Sequence, residues 1–204
     1  MKEIVADIFS WSVLSERHGY DFNGHLVCSS DGNVCIDPVE PSDAQLDQLA
    51  GIGATHILLT NRNHTRAANR LRTRLAAPTA IHPADAAYAR DQGTEIDASF
   101  EVGERLGPLQ VVGLPGKSPG EVGLFWPERR LIIVGDAVIG NPPGCCGLLP
   151  EKVMDDPAQL RRSLKALLDF DFDILLMGDG VSILTQAKDR LRELLATLEP
   201  SSAL

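Results

Sequence analysis

The sequence predicts an α/β fold, with helices packed outside β-sheet. Two features of the order predict it. Both halves of the chain run from apolar strands into amphipathic helices, and short buried strands repeatedly end in polar turns. A sandwich with helix layers outside two facing sheets accommodates this order; a doubly wound sheet accommodates it too.

In the first half, "EIVADIF" (residues 3–9), "GHLVCS" (24–29) and "NVCIDP" (33–38) cluster or alternate β-branched residues and end in turn formers, so they read as three strands. "SDGN" between the last two is a hairpin turn. "SDAQLDQLAGIG" (42–53) opens on a capping Ser42, spaces its leucines helically and stops at glycine. "THILLT" (55–60) is a short buried strand and "HTRAANRLRTRLA" (64–76) a helix. "TAIHP" (79–83) is strand-like and "ADAAYARDQ" (84–92) helical. This alternation implies a parallel portion of sheet with helices outside.

The second half brings strands in quick succession: "LQVVGLPG" (109–116), "EVGLFWPE" (121–128) and "RRLIIVGDA" (129–137), the last two joined by the turn "PERR". "DDPAQLRRSLKALLDF" (155–170) is a helix capped by Asp156 with Pro157 at its first position and an apolar stripe of Leu160, Leu164, Leu167 and Leu168. "FDILLMGDG" (172–180) is another buried strand. A last helix runs from about Ser182 to Leu198 and buries Leu184, Ala187, Leu191, Leu194 and Leu198. There is no repeat, low-complexity segment or linker, so one domain over residues 1–204 is expected.

Composition excludes some partners. Hydrophobic residues make up 44% and charged residues 23%, an ordinary globular balance. A net charge of -9 argues against binding nucleic acid or an anionic membrane, both of which ask for basic patches. "MKEIVADIFSW" carries acids among its first apolar residues, unlike a signal peptide, and no apolar run is long enough to span a bilayer. A cytoplasmic protein with reduced thiols is expected. Cys28 and Cys35 sit in strand-like runs as small core residues; Cys145 and Cys146 sit in the turn-rich "NPPGCCGLLP", with nothing to mark either thiol as activated.

The chemistry concentrates in four strand-end turns: "NRNHTR" after "THILLT", "PGKSPG" after "QVVGL", "GDA" after "LIIV" and "GDG" after "DILLM". In α/β folds the carboxyl ends of strands are where ligands bind. Each turn alone is a weak signal; the four in this order are a stronger one.

Taken together they resemble the metallo-β-lactamase superfamily, especially its glyoxalase II-like members, over most of the chain. The resemblance implies a four-layer αββα sandwich. It also implies a site in which HxHxDH, PGHSPG, GDA and GHG turns hold two zinc or iron ions, bridged by an aspartate and a hydroxide, for hydrolysis. Against that pattern, Asn61 and Asn63 stand for the two leading histidines, Thr65 for the aspartate and Arg66 for the last histidine. Lys117 and Asp179 replace two further histidines, and Asp136 matches the bridging aspartate.

Amides are poor ligands for such metals, and Arg and Lys repel cations. The dinuclear zinc or iron centre is therefore expected to be absent, with Lys117 and Arg66 paired to Asp136 and Asp179 in a neutral cluster that the asparagines complete. Asn61, Asn63, Arg66, Lys117, Asp136 and Asp179 are the candidate ligand-binding residues, and a small anionic molecule the candidate ligand, since Arg offers a bidentate fork. A cluster that only supports the fold is an equally weighted expectation.

His64 falls at an unliganded position of the family motif and is expected to point away; a one-residue adjustment of the turn would bring it beside Asp136 and Asp179 as a single-metal site. His56 and His82 read as packed or surface residues, His25 as a strand position, and His18 as remote from chemistry. Asp37 matches an acidic residue that in the family supports the site, and is otherwise a turn former. Three functions follow. The first is a divergent member that binds a small molecule or a partner protein. The second is a hydrolase with one unusual metal, or metal-free with Asp136 or Asp179 as base. The third is a structural role, with homo-oligomerisation left open.

Overall fold

The computed structural model describes residues 1–198; residues 199–204, included in the expected single domain, lie outside the described residues. A seven-stranded sheet takes the strands in chain order. These are β1 (Lys2–Val5), β2 (Ile8–Ser15), β3 (Tyr20–Val27), β4 (Val34–Ile36), β5 (His56–Leu59), β6 (Thr79–Ile81) and β7 (Ala98–Ser99). A five-stranded sheet holds β8 (Arg105–Leu106), β9 (Leu109–Gly113), β10 (Val122–Trp126), β11 (Leu131–Val134) and β12 (Ile174–Met177), in the order β12-β11-β10-β9-β8.

The strands up to β4 pair antiparallel, and β4 to β7 pair parallel. Helices α1 (Asp43–Ile52), α2 (Ala68–Leu75) and α3 (Pro83–Asp91) follow β4, β5 and β6; α4 (Pro157–Leu167) and α5 (Ala187–Leu198) flank β12 in sequence.

Three apolar layers hold these elements together, and strand alternation builds them. Leu131 and Ile133 of β11 enter the core between the sheets with Leu58, Leu124 and Leu176. Ile132 and Val134 face the other way, onto Leu160, Leu164 and Leu167 of α4 and Leu191 and Leu195 of α5. On the other sheet, Ile57 and Leu59 of β5 meet Leu49 of α1, Leu71 of α2 and Ala86 and Ala89 of α3. The result is helix, sheet, sheet, helix: the αββα sandwich.

Local signals in the sequence hold where capping chemistry is explicit. Ser42 and Gln45 form a reciprocal capping box at α1. Asp156 accepts a hydrogen bond from Gln159 N at 2.8 Å at the start of α4, with Pro157 in the first turn.

Four expectations shift. One strand was expected over residues 3–9; instead β1 and a longer β2 form there, and β2 pairs with β3 from Ile8↔Val27 to Ser15↔Tyr20. Gly24 makes that hairpin possible, since a Cβ there would lie 2.6 Å from the Trp11 ring. The helix expected from His64 starts at Ala68. The last helix starts at Ala187, because Ile183 exchanges backbone hydrogen bonds of 2.9 and 2.8 Å with Leu175 and so continues as extended chain; Leu184 is 43% exposed.

The carboxyl ends of β9, β11 and β12 fall on one edge of the second sheet, and those of β4 and β5 on one edge of the first. Backbone hydrogen bonds join these edges: Val122 N to Thr60 O at 2.9 Å, Asn23 N to Gly178 O at 2.7 Å and Gly180 N to Asp21 O at 2.7 Å. No helix among the described residues is long and apolar enough to cross a membrane.

Candidate functional site

The four strand-end turns converge, and a buried imidazole lies at their centre. His64 is fully buried. Its Nδ1 sits 2.8 Å from Asp37 Oδ2 and its Nε2 3.1 Å from Asp136 Oδ1, with Asp179 Oδ1 at 3.9 Å. The expectation that His64 points away is corrected. The polar turn extends through Ala67 before α2 begins, so no helical geometry turns His64 outward. Space for the ring comes from Gly178, where a Cβ would lie 2.5 Å from His64 Cε1.

Asp37 anchors the imidazole from behind. It follows β4 with φ 47, a left-handed conformation that Asp tolerates better than most residues. Its Oδ1 accepts from Thr60 N at 2.8 Å and its Oδ2 from the Thr60 hydroxyl at 2.5 Å, which ties the end of β4 to the end of β5.

The expected ion pairs are both present. Lys117 Nζ lies 2.9 Å from Asp136 Oδ2 and donates to Asn63 Oδ1 at 2.6 Å. Arg66 Nη2 donates to Asp179 Oδ1 at 2.9 Å, and its guanidinium lies 4.0 Å from the centre of the Phe22 ring. Lys117 and both aspartates are buried, whereas the Arg66 side chain keeps 21% of its exposure. Asp136 thus receives two cations, one on each oxygen.

Asn61 differs from the other candidates. It is fully buried behind the site, where its Oδ1 accepts from Asn63 N at 2.8 Å and its Nδ2 donates to Glu121 Oε1 at 3.3 Å. Asp85 fixes the two flanking turns to each other: it accepts from Arg62 N at 2.9 Å, from Ser118 Oγ at 2.5 Å and from Gly120 N at 2.9 Å.

The charges are mutually tuned. Burial and Arg66 press the His64 pKa down, yet the charges of Asp37 and Asp136 and the hydrogen bond to Asp136 prevail and lift it to about 10, so the ring is an imidazolium. Burial pushes the Asp136 carboxyl up, but His64 and Lys117 hold it well below the usual carboxylate range. Burial, with repulsion from Asp136, raises Asp179 despite His64 and Arg66.

Glu121, buried behind Asn61 and repelled by Asp136, is raised well above its ordinary value. Its Oε1 also accepts from Ala137 N at 3.2 Å, while Oε2 is buried without a partner. His64, Lys117 and Arg66 therefore face Asp37, Asp136 and Asp179, three charges of each sign. One more of each stands here than the expected cluster held.

The pairs open onto a cavity of about 680 Å³. Asn63, Arg66, Lys117, Asp136 and Asp179 line it. Tyr20 and Phe22 of β3, the turn residues Arg17 and His18, and the segment after β11 from Ile139 to Val153 close it. His18, expected to be remote from chemistry, lies in this wall, its ring 5.4 Å from that of Phe22. Burial raises the Tyr20 hydroxyl pKa, and Asp179 and Asp136 add to the rise.

Sequence reasoning missed Glu121 and the Arg17–Tyr20 turn, and held the inward His64 only as the alternative to a ring pointing away. A lone Glu opening a buried strand was a signal for the first; nothing local marked the second. His25, in β3, donates from Nε2 to Met177 O at 3.2 Å, and burial lowers its pKa to about 4. His56 is exposed, and His82 caps α3 by accepting from Ala84 N. Of the vicinal thiols, Cys145 is exposed and Cys146 buried, and burial lifts Cys146 to about 12, the opposite of activation.

Comparison with known families decides the wider relationship. The model of the metallo-β-lactamase superfamily matches residues 1–198. The chain belongs to the metallo-β-lactamase superfamily.

Its solved relatives agree in fold. A structure of TTHA1623 in a di-iron-bound form is 29% identical, with a TM-score of 0.70, covering 89% of this chain and 96% of its own. The DIM-1 metallo-β-lactamase exposed to ceftazidime is 15% identical with a TM-score of 0.78, covering 97% and 96%. The metallo-β-lactamase from Pontibacter korlensis is 15% identical with a TM-score of 0.77, covering 96% and 97%. No curated protein matches the chain.

The family's dinuclear centre can be tested against the donors present. Among the described residues, only His64, Asp136 and Asp179 gather three suitable donors, within 4.8 Å of one another. Three donors are too few for two ions in this superfamily's manner. Asp136 already carries His64 and Lys117, and Asp179 carries Arg66. These residues do not fit a dinuclear metal site.

Proposed function

We propose that this member of the superfamily works without the dinuclear metal centre and binds a small anionic molecule in the cavity. The observation that carries this is the lining: four cations, Arg17, Arg66, Lys117 and Lys152, against two carboxylates, Asp136 and Asp179, in a chain of net charge -9. A cleft of positive excess on an acidic protein concentrates anions. By the resemblance of the turns, Lys117 and Arg66 replace two metal-binding histidines and would take over the charge role of the metals. The free cysteines suit a reducing cytoplasm.

The test has two parts. Elemental analysis of protein purified without chelator is expected to find zinc, iron and manganese far below one ion per chain. A thermal-shift screen of phosphate, sulfate and small carboxylates is expected to raise the melting temperature, and to lose the effect when Arg66 and Lys117 are both replaced. Absence of any shift would refute the binding role.

A second reading, a hydrolase holding one metal, is favoured by the His64, Asp136 and Asp179 donors and by the di-iron-bound relative. A stoichiometric metal lost on His64→Ala would displace the first reading, and hydrolysis that depends on that metal would establish the second.

A further inference from the structure

We propose that the ligand is an amphiphilic organic acid, whose carboxylate meets Arg66 and Lys117 and whose apolar body lies against the cavity wall; this rests on the anion-binding reading above. The cavity, at about 680 Å³, is in the range of sites for small organic molecules and far larger than phosphate needs.

Its lining mixes cations with apolar side chains. Arg66 spends one nitrogen on Asp179, and Lys117 two of its three protons on Asp136 and Asn63, so both keep donors to give. Among the described residues, Arg17 and Lys152 have no carboxylate partner. The arginines of α2, by contrast, pair with Glu40, Asp43, Asp47, Glu95 and Asp97.

The same lining carries apolar side chains beside these cations. Leu148 and Leu149 are half-buried, and Val153 is 45% exposed at the same cavity. Tyr20 adds a ring, edge to face with that of Phe22 at 6.1 Å, and Phe22 itself lies under the Arg66 guanidinium. An inorganic anion would satisfy the cations and leave this wall wet; a neutral apolar molecule would cover the wall and leave the cations unanswered. An acid with an aromatic or aliphatic body answers both.

The experiment compares five probes on the full chain at equal concentration and ionic strength: phenylacetate, hexanoate, acetate, phosphate and phenylacetamide. Phenylacetate and hexanoate are expected to raise the melting temperature more than acetate or phosphate, with no shift from phenylacetamide. Val153→Ser, at an exposed position, is expected to weaken hexanoate or phenylacetate about fivefold and leave phosphate unchanged. Phosphate or acetate matching the larger acids would overturn the amphiphile and leave anion binding standing. Phenylacetamide matching phenylacetate would overturn the carboxylate anchor, and no shift from any probe would overturn both readings.

Discussion

His64 and Asp136 meet through Nε2 and Oδ1 at 3.1 Å, while Lys117 holds the other Asp136 oxygen at 2.9 Å. One carboxylate at the floor of the cavity is thus neutralised from two sides by protein cations. This relationship makes the cluster electrically self-contained, and most of its measurable behaviour follows from it.

The imidazolium should appear in the pH dependence of stability. His64 has a folded pKa raised from 6.5 to about 10, so the stability it contributes is complete below about 6.5 and is lost as pH rises towards 10. His25, lowered to about 4, works in the other direction: its contribution is complete above 6.5 and lost as pH falls towards 4. Urea unfolding across pH 5 to 10 should show the alkaline loss, and His64→Ala should flatten it. Nitrogen-15 shifts of His64 should report a doubly protonated ring at pH 8; a neutral tautomer there would contradict the assignment.

The Lys117–Asp136 pair should show strong energetic coupling. Lys117→Met leaves Asp136 short of a cation and should cost about 3–5 kcal/mol, as expected when one partner of a buried pair is removed. Adding Asp136→Asn should cost less than the sum of the single changes, by roughly 0.5–3 kcal/mol. Denaturant midpoints of the four proteins measure this, and strict additivity would show the pair to be energetically idle.

Glu121 is predicted to be protonated, since burial and Asp136 oppose its charge. With a folded pKa above its ordinary value, it costs the fold stability as pH rises past about 4.5 towards that raised pKa. Glu121→Gln keeps an acceptor for Asn61 and Ala137 and removes that cost, so it should match the native chain near pH 4 and be the more stable of the two at pH 7. It should gain on the native chain at pH 9. A large loss at pH 7 would mean that the native carboxyl is ionised.

Gly178→Ala should disturb the centre without touching any charge. The new methyl would meet His64 Cε1 at 2.5 Å, so the ring must shift. A loss of about 1–3 kcal/mol, typical of overpacking, is expected in thermal unfolding, together with altered His64 resonances. Unchanged resonances would place the ring elsewhere.

Much of the fold was legible because it rests on local chemistry. Alternating apolar residues in "LIIV" fixed a strand with two buried faces, and Ser42, Asp156 and Pro157 announced their helix starts. The β2–β3 hairpin was less legible because its far end is half solvated, with Leu14 61% exposed, and its register depends on Gly24 giving way to Trp11 from the neighbouring strand. The start of α5 was misplaced because Ile183 is held by Leu175, a partner distant from any helical signal.

The sequence alone determined that four polar turns follow four buried strands, and that two of those turns carry the cations Arg66 and Lys117. Residue types and strand periodicity suffice for that. Only the tertiary structure decided that His64 turns inward. Its direction depends on room left by Gly178 and on carboxylates that arrive from β4 and from beyond β11, parts of the chain 27 and 72 positions away. A side chain's aim within an irregular turn is set by such distant partners, since no repeating backbone geometry dictates it.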